Sequence, residues 1–171
     1  MRQRTPLSFA MVNRKGQPGH MPGMQRHHIL PRQLLTLGQF ETLIEEAGGA
    51  RVIMGDFRTN GLLLPASEKA ASRYGLPLHR GPHPHYNEIV SERVAAVESH
   101  WHVARKRCAS RAASDALCRL HLLQGALRRR LLHESRPLVL NRRDPLGKGQ
   151  DFSALDAMAD ALWAATAPVA V

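Results

Sequence analysis

Apolar positions along the chain fall into blocks whose spacing predicts most of its elements. Leu34, Leu35, Leu37, Phe40, Leu43 and Ile44 recur at roughly helical intervals between Arg32 and Ala47, and Gly48-Gly49 closes the block. That pattern predicts a helix over 32–47. Arg51 to Met54 reads as a short strand, and Leu62-Leu63-Leu64 before Pro65 as another, entered through the turn signal Asn60-Gly61. Glu68 to Tyr74 forms a helical turn that Gly75 and Pro77 end. Ile89, Val90, Val94, Val97 and Trp101 trace one face of a helix reaching about Arg107. Leu117, Leu120, Leu123, Leu127 and Leu131 mark a second amphipathic helix from about Ser114 to His133. Ser153, with Asp156 three residues on, is an N-cap for a last helix. Long helices with two or three short strands and no internal repeat make an α+β chain dominated by helix.

Composition divides this pattern into segments. Residues 1–23 hold Pro6, Gly16, Pro18, Gly19, Pro22 and Gly23 among basic and polar residues, and read as a flexible cationic lead-in. Residues 24–107 form the expected core, and 108–171 a helical extension packed on it. With 171 residues, 43% of them hydrophobic and 22% charged, the chain can bury one domain's core and does not read as disordered. The net charge of +10 and pI near 10.9 favour a polyanionic partner, DNA or RNA ahead of an anionic membrane surface. Most of the cations are arginines, whose planar fork suits phosphate, although a GC-rich genome also produces an arginine excess.

Two cysteines, Cys108 and Cys118, stand ten residues apart. There is neither a C-x-x-C ribbon nor a disulfide framework, which points to a reducing interior. The apolar run around Phe9 to Val12 is too brief for a signal-peptide core, and no stretch approaches a membrane helix. The expectation is a cytoplasmic protein, or one delivered into a target cell without a conventional signal.

Histidines carry the chemistry. His27 and His28 are adjacent, while His79 and His83 stand four apart. Positions i and i+4 of a helix lie about 6 Å apart on one face, within reach of a shared divalent ion. Pro82 and Pro84 fit only a first helical turn, so His79 belongs on an entering loop and His83 near the helix N-terminus. One member of the His27-His28 pair would complete three nitrogen ligands with an open position, as in a catalytic site. The other, at its ordinary pKa, would take a proton from water. His85 is an alternative to His83 as ligand. His100 and His102 read as solvated, and the Arg128-Arg129-Arg130 run as a basic helix end or, second, a phosphate contact.

This order of residues resembles the HNH/endonuclease VII superfamily: a His-His pair, Asn-Gly before an apolar strand, then His-x3-His entering a helix. More narrowly, Leu78-His79-Arg80-Gly81-Pro82-His83-Pro84 with Tyr86-Asn87 is similar to the AHH family of nuclease toxins of bacterial polymorphic-toxin systems. The resemblance spans about residues 26 to 90 and implies a ββα-metal (HNH-like) core with an inserted helix at 32–47. It implies His27, His79 and His83 as metal ligands and His28 as general base. Asn60 would fix the loop and hold the base in orientation. Arg26, Arg80, Tyr86 and Asn87 would serve substrate binding. Arg26 stands where the family has alanine, a change expected to touch packing or phosphate contact.

The function these residues suggest is a metal-dependent endonuclease acting on DNA with low sequence specificity, as a bacterial toxin effector. The metal could be Mg, Mn, Zn or Ni, because imidazole accepts several divalent ions. A cognate immunity protein is the partner that a toxin implies. Alternatives are a ribonuclease, a non-catalytic metal-stabilised nucleic-acid-binding module, or a helical interaction protein in which the histidines are incidental.

Overall fold

The computed structural model describes residues 5–133, 138–140 and 144–147, and the helix expected after Ser153 lies outside them. Strands β1 (Met24–His28) and β2 (Gly61–Pro65) form a two-stranded antiparallel sheet. Met24 pairs with Pro65 and His28 with Gly61. Helices α1 (Glu41–Glu46), α2 (Ala50–Met54) and α3 (Phe57–Asn60) lie between the strands in sequence. After β2 come α4 (Glu68–Tyr74) and the long pair α5 (Pro84–Ala104) and α6 (Ala109–Leu131). The architecture is mixed helix with a small antiparallel sheet and a helical C-terminal part, in keeping with the expected α+β class.

The segment between the strands departs from the expected elements in two places. The single helix over 32–47 is broken into 3-10 turns at Arg32–Thr36 and Gly38–Phe40 ahead of α1. Leu37 between them is extended (φ −91°, ψ 101°), which lets Leu34 and Phe40 reach the core from separate turns while Leu35 stays exposed. The strand expected at 51–54 is the helix α2. It buries the adjacent Ile53 and Met54 and leaves Val52 outside, an outcome that a strand's alternation cannot produce. Gly49, at φ 84°, supplies the left-handed residue that turns the chain from α1 into α2.

Asn60-Gly61 is not a hairpin turn. Asn60 ends α3 and Gly61 begins β2, so the backbone changes from helix to strand between them. Glycine is required at 61 by close packing, since an added Cβ would sit inside the Phe57 ring.

The two long helices follow the predicted stripes. α5 buries Tyr86, Val90, Val94 and Trp101, and α6 buries Ala112, Ala116, Leu120, Gln124, Leu127 and Leu131. Apart from the polar Gln124, these residues join Ile29, Leu30, Phe40, Leu43, Ile53 and Leu64 in one core. Each large apolar side chain there contributes roughly 1.5–3 kcal/mol. α4 is the helix expected at 68–74, capped by the Ser67 side chain and closed by Gly75 in the left-handed conformation.

The lead-in expected to be flexible is laid against the core from Thr5 onward. Leu7 N–H donates to Asp56 Oδ1 (3.0 Å), Phe57 N–H donates to the Leu7 carbonyl (2.7 Å), and Arg58 reaches the Thr5 carbonyl (3.1 Å). Asn13 closes the glycine-rich loop by bonding the backbone of Met21 on both sides and the carbonyl of Met24.

Replacing Gly61 with alanine should cost roughly 1–3 kcal/mol, because Phe57 must shift to admit the methyl group. Chemical unfolding of the variant measures this; an unchanged midpoint would show that the α3–β2 junction is not closely packed.

Candidate functional site

Pleating of β1 turns the two adjacent histidines in different directions, yet His28, at the strand end, stays within electrostatic reach of His27 and His79. Gln25 and His27 share one face, and Arg26 and His28 the other. His27 is 4% exposed and faces the loop that enters α5. There His79 N–H donates to the Pro65 carbonyl (2.7 Å), which carries the chain past the end of β2. Gly81 at φ 77° turns it, His83 occupies the N-cap of α5, and Pro84 takes the first helical position that proline tolerates. His79 therefore sits on the entering loop and His83 at the helix start, as the flanking prolines predict.

These elements bring three imidazoles together. One ligand atom from each of His27, His79 and His83 lies within 4.8 Å of the others. Their ring centroids are 4.9 Å (His27–His79), 5.8 Å (His27–His83) and 4.7 Å (His79–His83) apart. His83 Nδ1 faces the Leu140 carbonyl at 3.2 Å, and His79 Nδ1 faces Gln25 Oε1 at 3.1 Å. Both acceptors require the proton on Nδ1, leaving Nε2 with its lone pair. Nε2 of His27 and of His83 is buried without a partner among the described residues. Unsatisfied buried nitrogens are costly unless something binds them, and a neutral Nε2 backed by an Nδ1 hydrogen bond is the usual state of a metal-binding histidine. The donor set fits a divalent cation.

Electrostatics agree. Burial, then the neighbouring His79, His83 and His28, push the pKa of His27 down to about 3. Burial, then His83 and His28, lower His79 to about 4, and burial lowers His83 despite the Leu140 bond. All three rings are neutral at pH 7 and able to donate lone pairs. His85 lies outside the cluster, exposed and 3.8 Å from Glu88.

His28 is half-buried at the end of β1, with its ring stacked on Phe9 at 3.8 Å and 4°. Burial, then the charges of Arg32 and Arg26, lower its pKa. Asn60 is fully buried. It accepts from Leu30 N–H (2.7 Å) and donates to the Leu30 carbonyl (3.2 Å) and, at 3.5 Å, to that of Met54. Its backbone carbonyl accepts from Ile29 N–H at 2.8 Å. Asn60 thus fixes the backbone that follows the histidine pair. The expected direct hold on the base is not made, because its amide is consumed by Leu30, Met54 and Gln124.

The four residues expected to bind substrate separate. Tyr86 is 1% exposed, packs its ring against His27 and donates its hydroxyl to the Ile29 carbonyl at 2.6 Å. Burial raises its pKa, and the side chain is a strut beneath the site with no surface to offer a substrate. Asn87 bonds Gln33 Oε1 (2.8 Å). Arg26 and Arg80 are exposed, Arg26 with one guanidinium nitrogen on the Phe9 carbonyl (2.7 Å). Arg128 bonds the carbonyls of Arg58, Thr59 and Gly61 through one guanidinium nitrogen and so caps the end of α3.

Four contributors escaped the sequence reading. Gln124 is 2% exposed and donates to the Ile53 carbonyl (2.8 Å) and Asn60 Oδ1 (3.1 Å). Its signal was a polar residue on the leucine stripe of α6, between Leu120 and Leu127. Gln25 stands two residues from His27, on the same face of the strand. Phe9 and Asp144 left no such trace. Asp144, itself buried, accepts from Leu78 N–H (2.8 Å) and so braces the loop that carries His79.

Residues 8–124 match the model of the AHH family, described as a nuclease family of the HNH/ENDO VII superfamily with conserved AHH. The match covers more than half of the chain, and the chain belongs to this family. It is a nuclease, with nucleic acid as its substrate. No curated protein and no solved structure matches the chain significantly.

Two outcomes follow from this geometry. Asn60→Ala should lower stability by roughly 2–4 kcal/mol, since it strands the Leu30 backbone groups and Gln124; urea unfolding measures it. In metal-free protein, His27 refuses a proton that the unfolded chain accepts below its ordinary pKa of 6.5. Its stability contribution is therefore complete above about pH 6.5 and falls by roughly 1.4 kcal/mol per pH unit as the pH drops toward 3. Urea midpoints between pH 7 and pH 5 should decline less steeply in His27→Gln; equal slopes would rule out His27 as the source.

Proposed function

We propose that this nuclease is a metal-dependent endonuclease that hydrolyses phosphodiester bonds of DNA with low sequence specificity. β1, β2 and the start of α5 would be its ββα-metal core, within a catalytic unit of residues 24–107 that the lead-in and α6 buttress. The reading rests above all on the convergence of His27, His79 and His83 with two unpartnered buried nitrogens, next in sequence to His28. His27, His79 and His83 hold the ion, which can be Mg, Mn, Zn or Ni. Bound there, a divalent ion supplies Lewis-acid stabilisation of the charge that builds on the phosphate and the departing oxygen.

His28 acts as the general base. Burial and the neighbouring Arg32 and Arg26 keep its pKa below the ordinary value, so the ring is neutral at pH 7 with a lone pair for a proton. It takes one proton from water as the water oxygen bonds to phosphorus and the phosphorus–oxygen bond to one nucleotide breaks. The proton balance closes when the leaving oxygen is protonated from solvent. Asn60 positions the backbone after His28. Arg26, Arg80 and Asn87 meet phosphate or sugar, contacts that place a strand without reading its sequence. The net charge of +10 favours polyanions whatever their sequence, which is why low specificity is expected.

The sequence resemblance to the AHH family carries the role of a bacterial effector, delivered by a route independent of a signal peptide and neutralised by a cognate immunity protein. RNA is the competing substrate, since a proton-accepting histidine also suits ribonucleases. Plasmid DNA and a structured RNA, each incubated with and without divalent metal, separate the readings. Metal-dependent nicking of the plasmid is expected, with His28→Ala lowering the rate by about 10²–10⁴-fold while metal stoichiometry stays at one. Undiminished cleavage by His28→Ala would remove it from the mechanism, and binding without scission would leave only a nucleic-acid-binding module.

A further inference from the structure

The ring of His28 makes no hydrogen bond among the described residues, although a general base is ordinarily oriented by a third polar group. Its one close ring contact among the described residues is Phe9, parallel within 4° at 3.8 Å. Phe9 is itself held from three sides. Its carbonyl accepts from Arg26, two residues before His28 on the same face of β1 (2.7 Å). Its ring meets the edge of Phe57 at 5.0 Å and 75°. Two residues earlier, Leu7 is tied to α3 through Asp56 Oδ1 and Phe57 N–H at 3.0 and 2.7 Å. The platform is thus anchored to the same helix that ends in Asn60.

We infer that Phe9, carried by the N-terminal segment laid over β1, is the positioning residue for His28. The inference rests on the assignment of His28 as general base. A phenyl ring flat against an imidazole covers one face and leaves both nitrogens at the free edge. It fixes the tilt of the ring without competing for the lone pair that receives the proton. Asn60 sets where the His28 backbone lies, through Ile29 and Leu30, and Phe9 sets how the ring is turned. The N-terminal segment, whose composition suggests a mere tether, is on this account part of the active enzyme.

The test compares Phe9→Leu, which keeps apolar bulk against Phe57 but lacks a flat ring, with Phe9→Tyr, which keeps the stack. In the full-length wild type, the His28 ring-proton NMR signals, assigned through loss in His28→Ala, should be displaced upfield by the ring current of Phe9. Phe9→Leu should move them back toward exposed-histidine values, and Phe9→Tyr should not. In plasmid cleavage, Phe9→Leu should lose at least roughly ten-fold in kcat with KM within about two-fold, while metal affinity is unchanged and Phe9→Tyr restores the rate. Wild-type kcat in Phe9→Leu, or unmoved His28 signals, would overturn the inference. A loss in Phe9→Leu that Phe9→Tyr does not rescue would also overturn it. A wild-type protein that shows the upfield signals but cleaves nothing would instead sink the endonuclease reading while leaving the stack intact.

Discussion

Everything at the site depends on one buried carboxamide. Asn60 brackets the backbone of Leu30 from both sides, and Gln124 of α6 holds Asn60 in turn. Three segments distant in sequence, 27–30, 53–61 and the middle of α6, are thereby fixed against one another. A buried amide with its hydrogen bonds filled tolerates little displacement, because each unmade bond costs about 1–3 kcal/mol. The histidine pair ends at this bracket, so its placement inherits that rigidity.

The cluster on the far face of β1 shows the opposite condition, nitrogens left open. Burial keeps His27, His79 and His83 neutral, and Gln25 and Leu140 take up the Nδ1 protons of His79 and His83. Such an arrangement lowers stability without a bound cation, since desolvated imidazoles and orphaned Nε2 atoms have no compensation from the protein. That the fold retains it within a strand, a loop and a helix start argues for ligation over packing. Tyr86, buried against His27, seals the cluster from below by holding Ile29.

The segments flanking the core complete the site from two sides. Phe9 and Leu7 of the N-terminal segment lie over the His28 face of β1. Leu140 and Asp144 reach the loop that carries His79 and His83. The family match begins at residue 8 and ends at Gln124, so it takes in Phe9 but not Leu140 or Asp144. The brace on the histidine loop is thus supplied by residues beyond the matched region.

The histidine pair, the His79-x3-His83 spacing and the apolar stripes of α5 and α6 were legible in the sequence, because local periodicity and proline geometry determine them. The two prolines around His83 dictated a helix start, and the structure has one. Residues 32–54 were not legible, because short turns packed against long helices obey no single period; Leu35 stays exposed beside buried Leu34. Nor were the partners of Asn60, which reads from its residues as a turn and only by resemblance as the residue that fixes the loop; Leu30 and Gln124 come beside it only in the fold. The ligand candidates are written in the order of residues. What surrounds them, the Phe9 stack, the Gln25 and Leu140 bonds and the neutral state of His27, arises only when segments up to 57 residues apart are brought into contact, since burial and hydrogen-bond geometry are properties of the assembled fold.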